Sequence, residues 1–171
     1  TGIRRTYPNM MTREGVRGME YNAWSKGNPP EHHTILPYTR FLAGPADYTP
    51  GIFDVLLEKH HNLRKKLVPK ELKYRVHTTL AKQLALYVVF YSPLQMASDL
   101  PENYKNHPAL KFIEDVPVDW ETTKALNGEI GEYLTIARKD RHSDEWYIGS
   151  VTNKTPRSFK ISCNFLEEGR E

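Results

Sequence analysis

A change of hydrophobic period part-way along the chain constrains its fold more than any other feature. From Gly131 onward the chain reads as strands, and Phe159, Ile161, Cys163 and Phe165 alternate strictly with Lys160, Ser162 and Asn164. Upstream, Leu80, Leu84 and Val88 recur at i, i+4 and i+8, flanked by Ala81, Ala85 and Val89, with Lys82 and Gln83 on another face. Period two describes strands with one buried face and period 3.6 an amphipathic helix, so the two patterns belong to different layers. The sequence predicts two modules, 1–120 and 121–171, with the boundary falling within 119–128. Strands are expected at 133–139, 146–152 and 158–166, with Cys163 as a small buried hydrophobe.

In the first module the helix over 78–91 ends at Pro93, and 94–99 follows as an extended piece closing on Asp99. A second helix is expected over 102–114, kinked or broken by Pro108. Residues 7–12 read as extended and lead into a turn with Gly15 and Gly18 that carries Glu14 and Glu20. The stretch 43–51, with two prolines and two glycines in nine residues, reads as loop. Helix, strand ending in a carboxylate, helix, then an all-β module suits the last part of a (β/α)8 barrel. The expected fold class is therefore α/β, the second half of a TIM barrel followed by a truncated antiparallel β domain. In such barrels the chemistry sits in the loops after the strands, where Glu14, Glu20, Asp47 and Asp99 all fall.

Composition narrows the function classes. Lys and Arg number 24 against 21 Asp and Glu, a net charge of +3, and the stretch 54–75 alone holds seven basic against three acidic residues. A solvated basic face accounts for that run, and no nucleic-acid partner is expected. One cysteine excludes an internal disulfide framework and a Cys-rich zinc site. The longest apolar run, 84–91, is too short to cross a membrane. The chain opens on Thr rather than Met, so it reads as a piece of a longer protein whose remainder is its first partner.

Carboxylates at strand ends are the equipment of glycoside hydrolysis, which needs an acid to protonate the leaving oxygen and a second carboxylate as nucleophile or base. His32 and His33 beside Tyr48 suit sugar hydroxyls and the apolar face of a sugar ring; equally they suit structural loop hydrogen bonds. No His-x-x-x-His, glycine-rich phosphate loop or Gly-x-Ser-x-Gly elbow is present, and His60-His61 has no assigned role.

Longer stretches resemble a known family. Arg5-Thr-Tyr-Pro-Asn9, Glu14-Gly-Val-Arg-Gly-Met-Glu20, Gly44-Pro-Ala-Asp-Tyr-Thr-Pro-Gly51, Leu80-Ala-Lys-Gln-Leu-Ala-Leu-Tyr-Val-Val89, Ser92-Pro-Leu-Gln-Met96 and Asp99-Leu-Pro-Glu-Asn-Tyr104 resemble family 97 of the glycoside hydrolases. Phe112-Ile-Glu-Asp-Val-Pro-Val-Asp-Trp120 and Gly131-Glu-Tyr-Leu-Thr-Ile-Ala-Arg138 extend the resemblance to nearly the whole chain outside about 55–75. It implies an exo-acting α-glucosidase or α-galactosidase on α-linked oligosaccharides, periplasmic or secreted, with Ca2+ at the active site. It also implies an N-terminal sandwich and first barrel strands lying outside these residues. Retaining members use an aspartate nucleophile, which by this pattern precedes Thr1; inverting members use glutamates as bases. Glu20 matches one family glutamate, with Glu14 its neighbour in the same loop. Asp115 falls near the family's acid position, and Tyr91 stands where inverting members have a second glutamate. The resemblance thus points to the retaining, α-galactosidase-like branch, with Glu20, Glu14 and Asp115 as catalytic candidates and His32, His33, Asp47 and Asp99 as sugar contacts. Its metal ligands are not assigned. The alternatives are an inverting α-glucosidase of the same family and a non-catalytic carbohydrate-binding or structural barrel remnant.

Overall fold

A computed structural model describes residues 3–23, 25–57 and 75–166; His60, His61 and nearly all of the basic stretch lie outside them. In chain order the elements are α1 (Ile3–Thr6), a 3-10 turn (Met19–Ala23) and α2 (His32–Ile35), which runs on through 3-10 turns Leu36–Tyr38 and Arg40–Ala43. There follow α3 (Leu80–Val89), α4 (Pro101–Tyr104), α5 (Leu110–Asp115) and strands β1 (Trp120–Glu129), β2 (Tyr133–Asp140) and β3 (Trp146–Thr152).

Helix α3 forms where the apolar spacing predicts it. Thr79, with extended backbone, caps its start by accepting the Lys82 N–H on its hydroxyl at 3.2 Å. The helix is more enclosed than its sequence suggests, because Gln83, placed on an outer face by periodicity, is fully buried. Its Oε1 accepts from the N–H groups of Gly51 (3.0 Å) and Ile52 (3.4 Å), and its Nε2 donates to the Thr78 hydroxyl. A loop on one side and the sheet on the other cover α3, and an amide survives there because every arm is paired. The helix expected over 102–114 is two helices, α4 and α5, separated by Asn106 at φ 60° and by Pro108.

The sheet has the order β1-β2-β3, antiparallel throughout, with Ala137 opposite both Lys124 and Ile148. Central β2 is buried over five consecutive residues. Leu134 and Ile136, with Val151 of β3, join Leu86, Val89 and Phe90 in the main core. Gly149 lets β3 lie close against α3, since a Cβ there would stand 2.8 Å from Val88 Cβ and 2.9 Å from the Ala85 carbonyl.

Two side chains fasten the ends of α3 to this sheet. At the start Lys82 Nζ donates to the carbonyls of Pro30 (2.8 Å) and Thr152 (2.7 Å), and burial draws its pKa down to about 8. At the end Arg138 of β2 donates through Nε to the Val88 carbonyl at 2.6 Å, through Nη2 to that of Val89, and through Nη1 to Thr123 Oγ1. Its guanidinium lies 5.7 Å from the Tyr91 ring centre and 5.8 Å from that of Trp120, and burial lowers its pKa to about 10. A cation at a helix C-terminus meets unpaired carbonyls and the negative end of the helix dipole.

The third strand is not the one the alternation predicts. Residues 158–166 make no ladder among the described residues, whereas 120–129, expected as the boundary, are β1. The tail meets the sheet through its rings: Phe159 packs on Tyr133 at 4.5 Å and Phe165 on Trp146 at 4.7 Å between centroids. Cys163 is accordingly exposed rather than buried.

Before the sheet, three extended segments lie side by side without forming a long ladder. Arg13 and Ala46 make an isolated parallel bridge; Asp47 N–H donates to the Arg13 carbonyl (3.2 Å), and Ala46 N–H to the Tyr91 carbonyl (3.4 Å). The helical turns of 32–43 connect the first segment to the second, and α3 precedes the third.

Candidate active site

The residues at and after the first two of these segments carry Glu14, Glu20 and Asp47. After Arg13 the chain turns through Gly15, whose φ of 57° suits glycine, and reaches Glu20 in the 3-10 turn. The carboxylate of Glu20 folds back on its own turn: Oε1 accepts from Gly18 N–H at 3.0 Å and Oε2 from the Thr49 hydroxyl at 3.2 Å. That hydroxyl in turn accepts the Met19 N–H at 2.7 Å. A Cβ at position 18 would overlap Oε2 of Glu20, so any larger residue there would displace the carboxylate from this place.

The turn is fixed from beneath. Buried Asn28 donates to the carbonyls of Gly18 (2.8 Å) and Arg17 (3.2 Å) and accepts from Arg17 Nε (2.7 Å). The His32 ring nitrogen Nε2 bonds to the Arg17 carbonyl at 2.8 Å. His33, fully buried, bonds through Nε2 to the Tyr48 hydroxyl at 2.5 Å, and Tyr48 donates to Met19 Sδ at 3.3 Å. The two histidines thus support the turn, half-buried His32 from its surface and His33 from inside; the structure does not direct His33 toward solvent. His33 Nδ1 has no hydrogen-bond partner. Burial first, then the charges of Lys82 and His32, hold its pKa well below the ordinary 6.5.

Acid should therefore destabilise this region. The folded state excludes a proton that the unfolded chain binds from about pH 6.5 downward. The stability this contributes is complete above that pH and is lost as pH falls toward the depressed folded value, at about 1.4 kcal/mol per pH unit. Unfolding free energy measured against pH for wild type and His33→Gln checks this: the difference should shrink below about pH 6.5, and a constant difference overturns it.

The remaining candidates are placed as follows. Glu14 is exposed, its carbonyl accepts Arg40 Nε at 3.0 Å, and it borders a cavity of about 440 Å³ with Ile3, Arg4, Arg13, Gly15, Arg40 and Ala43. Asp47, beside it in the second segment, has a buried Oδ1 without a hydrogen-bond partner. Asp99 is engaged within the protein. Its Oδ2 accepts from the N–H groups of Phe53 and Asp54, its Oδ1 from Leu100 N–H and Asn103 Nδ2, and these donors outweigh burial to lower its pKa. Asp115 sits apart on α5, paired with Lys111 at 2.8 Å, on the helix whose Phe112 and Ile113 pack with Val116 and Trp120. The structure thus brings Glu20, His32 and His33 around one turn and gives Asp99 and Asp115 other surroundings. Among the described residues no three His, Cys, Asp or Glu side chains gather closely enough to hold a metal ion. Sequence reasoning missed Thr49 and Asn28, although Thr49 follows Asp47 by two positions in a segment already marked as functional loop.

Comparison with known proteins identifies the family. A family description, the C-terminal oligomerisation domain of glycosyl hydrolase 97, matches residues 119–171, which hold all three strands and the tail. A retaining alpha-galactosidase of Bacteroides thetaiotaomicron is 36% identical over 168 residues, 96% of this chain. A glycoside hydrolase family 97 enzyme from Pseudoalteromonas sp. strain K8, solved in complex with panose, superposes on 98% of the chain with a TM-score of 0.84 and 50% identity. The chain belongs to glycoside hydrolase family 97. It spans about a quarter of the length of these family 97 relatives, 24% of the Bacteroides protein and 25% of the Pseudoalteromonas chain. A probable retaining alpha-galactosidase of Streptomyces bingchenggensis is 34% identical over 88% of the chain and 20% of its own length. A β-arabinopyranosidase, 22% identical with a TM-score of 0.57 over 79% of the chain, shares the fold alone.

Proposed function

We propose that the protein containing this chain hydrolyses α-glycosides with retention, as an α-galactosidase-like enzyme, and that Glu20 is its acid/base. The observation that carries the reading is the Glu20 carboxylate, held between Gly18 N–H and the Thr49 hydroxyl in a chain of a glycosidase family. Each oxygen accepts one hydrogen bond and keeps a second lone pair. Glu20 as the acid gives its proton to the leaving glycosidic oxygen while an aspartate outside these residues bonds to the anomeric carbon. As the carboxylate it then takes a proton from the water that cleaves that bond. Tyr91, where inverting members have a glutamate, supports retention.

The two modules, 1–120 and 121–171, are part of the same proposal. The parallel Arg13–Ala46 bridge, the Ala46–Tyr91 hydrogen bond and the helical connections between those segments support reading the first as the end of a (β/α)8 barrel. A role of the second in self-association is supported by the description of its family domain. A periplasmic or secreted location rests on the family resemblance. So does Ca2+, and the described residues do not make up a ligand set for it, so its ligands would come mainly from elsewhere in the protein and no step here is routed through it.

A glucoside-cleaving, inverting enzyme is the second reading; its glucose specificity is favoured by the 50% identity to the enzyme solved with panose, an α-linked glucose trisaccharide. One experiment separates the two. The full-length protein is given aryl α-galactoside and aryl α-glucoside, and proton NMR follows the first sugar anomer released. Retention predicts α-galactose before mutarotation, whereas β-anomer as first product rejects it. Elemental analysis of the same preparation tests for bound calcium.

A further inference from the structure

Thr49 has a hydroxyl whose hydrogen bonds are ordered at both ends. Its oxygen accepts from Met19 N–H at 2.7 Å, which leaves its single proton for Glu20 Oε2 at 3.2 Å. A hydroxyl free to rotate fixes nothing, but one already committed as an acceptor presents its hydrogen in a narrow range of directions. Thr49 is itself held in place. Its neighbour Tyr48 is almost wholly buried, bonded to His33, and packed edge-on against Phe90 at 4.9 Å between ring centres. On the other side of the carboxylate, Gly18 donates its N–H to Oε1, and a Cβ there would also come within 2.7 Å of the Thr49 oxygen. The carboxylate of Glu20 thus sits in a slot with one wall from its own turn and the other from a segment 29 residues away.

From this geometry we infer that Thr49 is a positioning residue for Glu20, aiming the carboxylate through a hydroxyl ordered by the Met19 main chain. The inference rests on the reading of Glu20 as acid/base. A threonine that merely satisfied the Met19 N–H would, when replaced by valine, loosen the turn and lower the rates on both substrate classes alike, leaving their ratio unchanged. A positioning threonine leaves substrate contacts unchanged and acts on the proton-transfer steps, so its loss appears in kcat with little change in KM.

The test uses the full-length protein with Thr49→Val, Thr49→Ser and Glu20→Gln. Each is assayed on a natural α-linked oligosaccharide and on an aryl glycoside whose leaving group needs no proton. Thr49→Val should lower kcat on the natural substrate by roughly 10- to 100-fold with aryl cleavage much less affected, and Thr49→Ser, which keeps the hydroxyl, should restore it to within a few-fold. The ratio of aryl to natural rates is taken within each preparation, so it does not depend on how much of a variant is folded. If Glu20→Gln shifts that ratio and Thr49→Val does not, Thr49 is not a positioning residue. If Glu20→Gln leaves the ratio unchanged, the reading of Glu20 itself fails.

Discussion

On the reading of Glu20 as acid/base, replacing it by alanine in the full-length protein should cut hydrolysis of natural α-linked oligosaccharides by about 10²-fold or more while sparing the first, bond-breaking step on aryl α-glycosides. A sugar leaving group departs as an alkoxide unless it receives a proton, whereas a nitrophenolate leaves unaided. An acid/base variant therefore loses the first class of substrate selectively. With aryl substrates the second step becomes limiting, because no carboxylate remains to activate water, and added azide should restore turnover by attacking the covalent intermediate directly. The product identifies the pathway: displacement from a glycosyl-enzyme gives the α-glycosyl azide. A Glu20 acting as base in a single inverting displacement predicts equal loss on both substrate classes and a β-azide instead. Unchanged rates with both substrates would move the proton donor to Glu14 or Asp115.

Arg138→Ala should loosen the junction between α3 and the sheet by about 3 to 5 kcal/mol. The substitution leaves the Val88 and Val89 carbonyls without their donor and opens a void among Trp120, Tyr91 and Thr123. Arg138→Lys should recover only part of the loss, because one ammonium does not reproduce a planar fork reaching three acceptors. Amide hydrogen exchange in the full-length protein measures this locally. Protection should fall at Phe90, whose N–H closes the last turn of α3 on Leu86, and along β2. Unaltered exchange at those amides would remove Arg138 from the account of what joins the two layers.

Why parts of this structure are legible in sequence and others are not follows from the range of the forces involved. Helix α3 announces itself because burial of its face is written in its own spacing, and β2 and β3 because short runs rich in aromatic and β-branched residues stand between turn residues. Strand β1 does not: apart from Trp120 it exposes or half-exposes its side chains, and its identity comes from backbone bonds to β2. The tail 158–166 carries a strand's alternation, but its rings pack on Tyr133 and Trp146 without a ladder. Gln83 looks like a surface residue until loop 48–52 arrives to pair it. The same contrast holds at the site. Glu20 is visible as a carboxylate in a glycine-bearing turn, and the family resemblance singles it out. Its partner Thr49 is an ordinary residue by type, and only the approach of a second segment gives it a role. The histidines were visible as a pair, but sequence could not tell a sugar contact from the buried bond that His33 makes to Tyr48.

The double fastening of α3 bears on how such enzymes can be recombined. The family domain begins at residue 119, and a chimera builder would naturally cross over there. Yet Lys82 reaches across that line to the Thr152 carbonyl, Arg138 reaches back to Val88, and Gly149 admits the helix at contact distance. A crossover at 119 sets one parent's helix against another's sheet and asks three unrelated fits to coincide. Moving the junction upstream of Thr78 transplants the helix with its sheet, so the heritable cassette is larger than the domain that sequence comparison delimits.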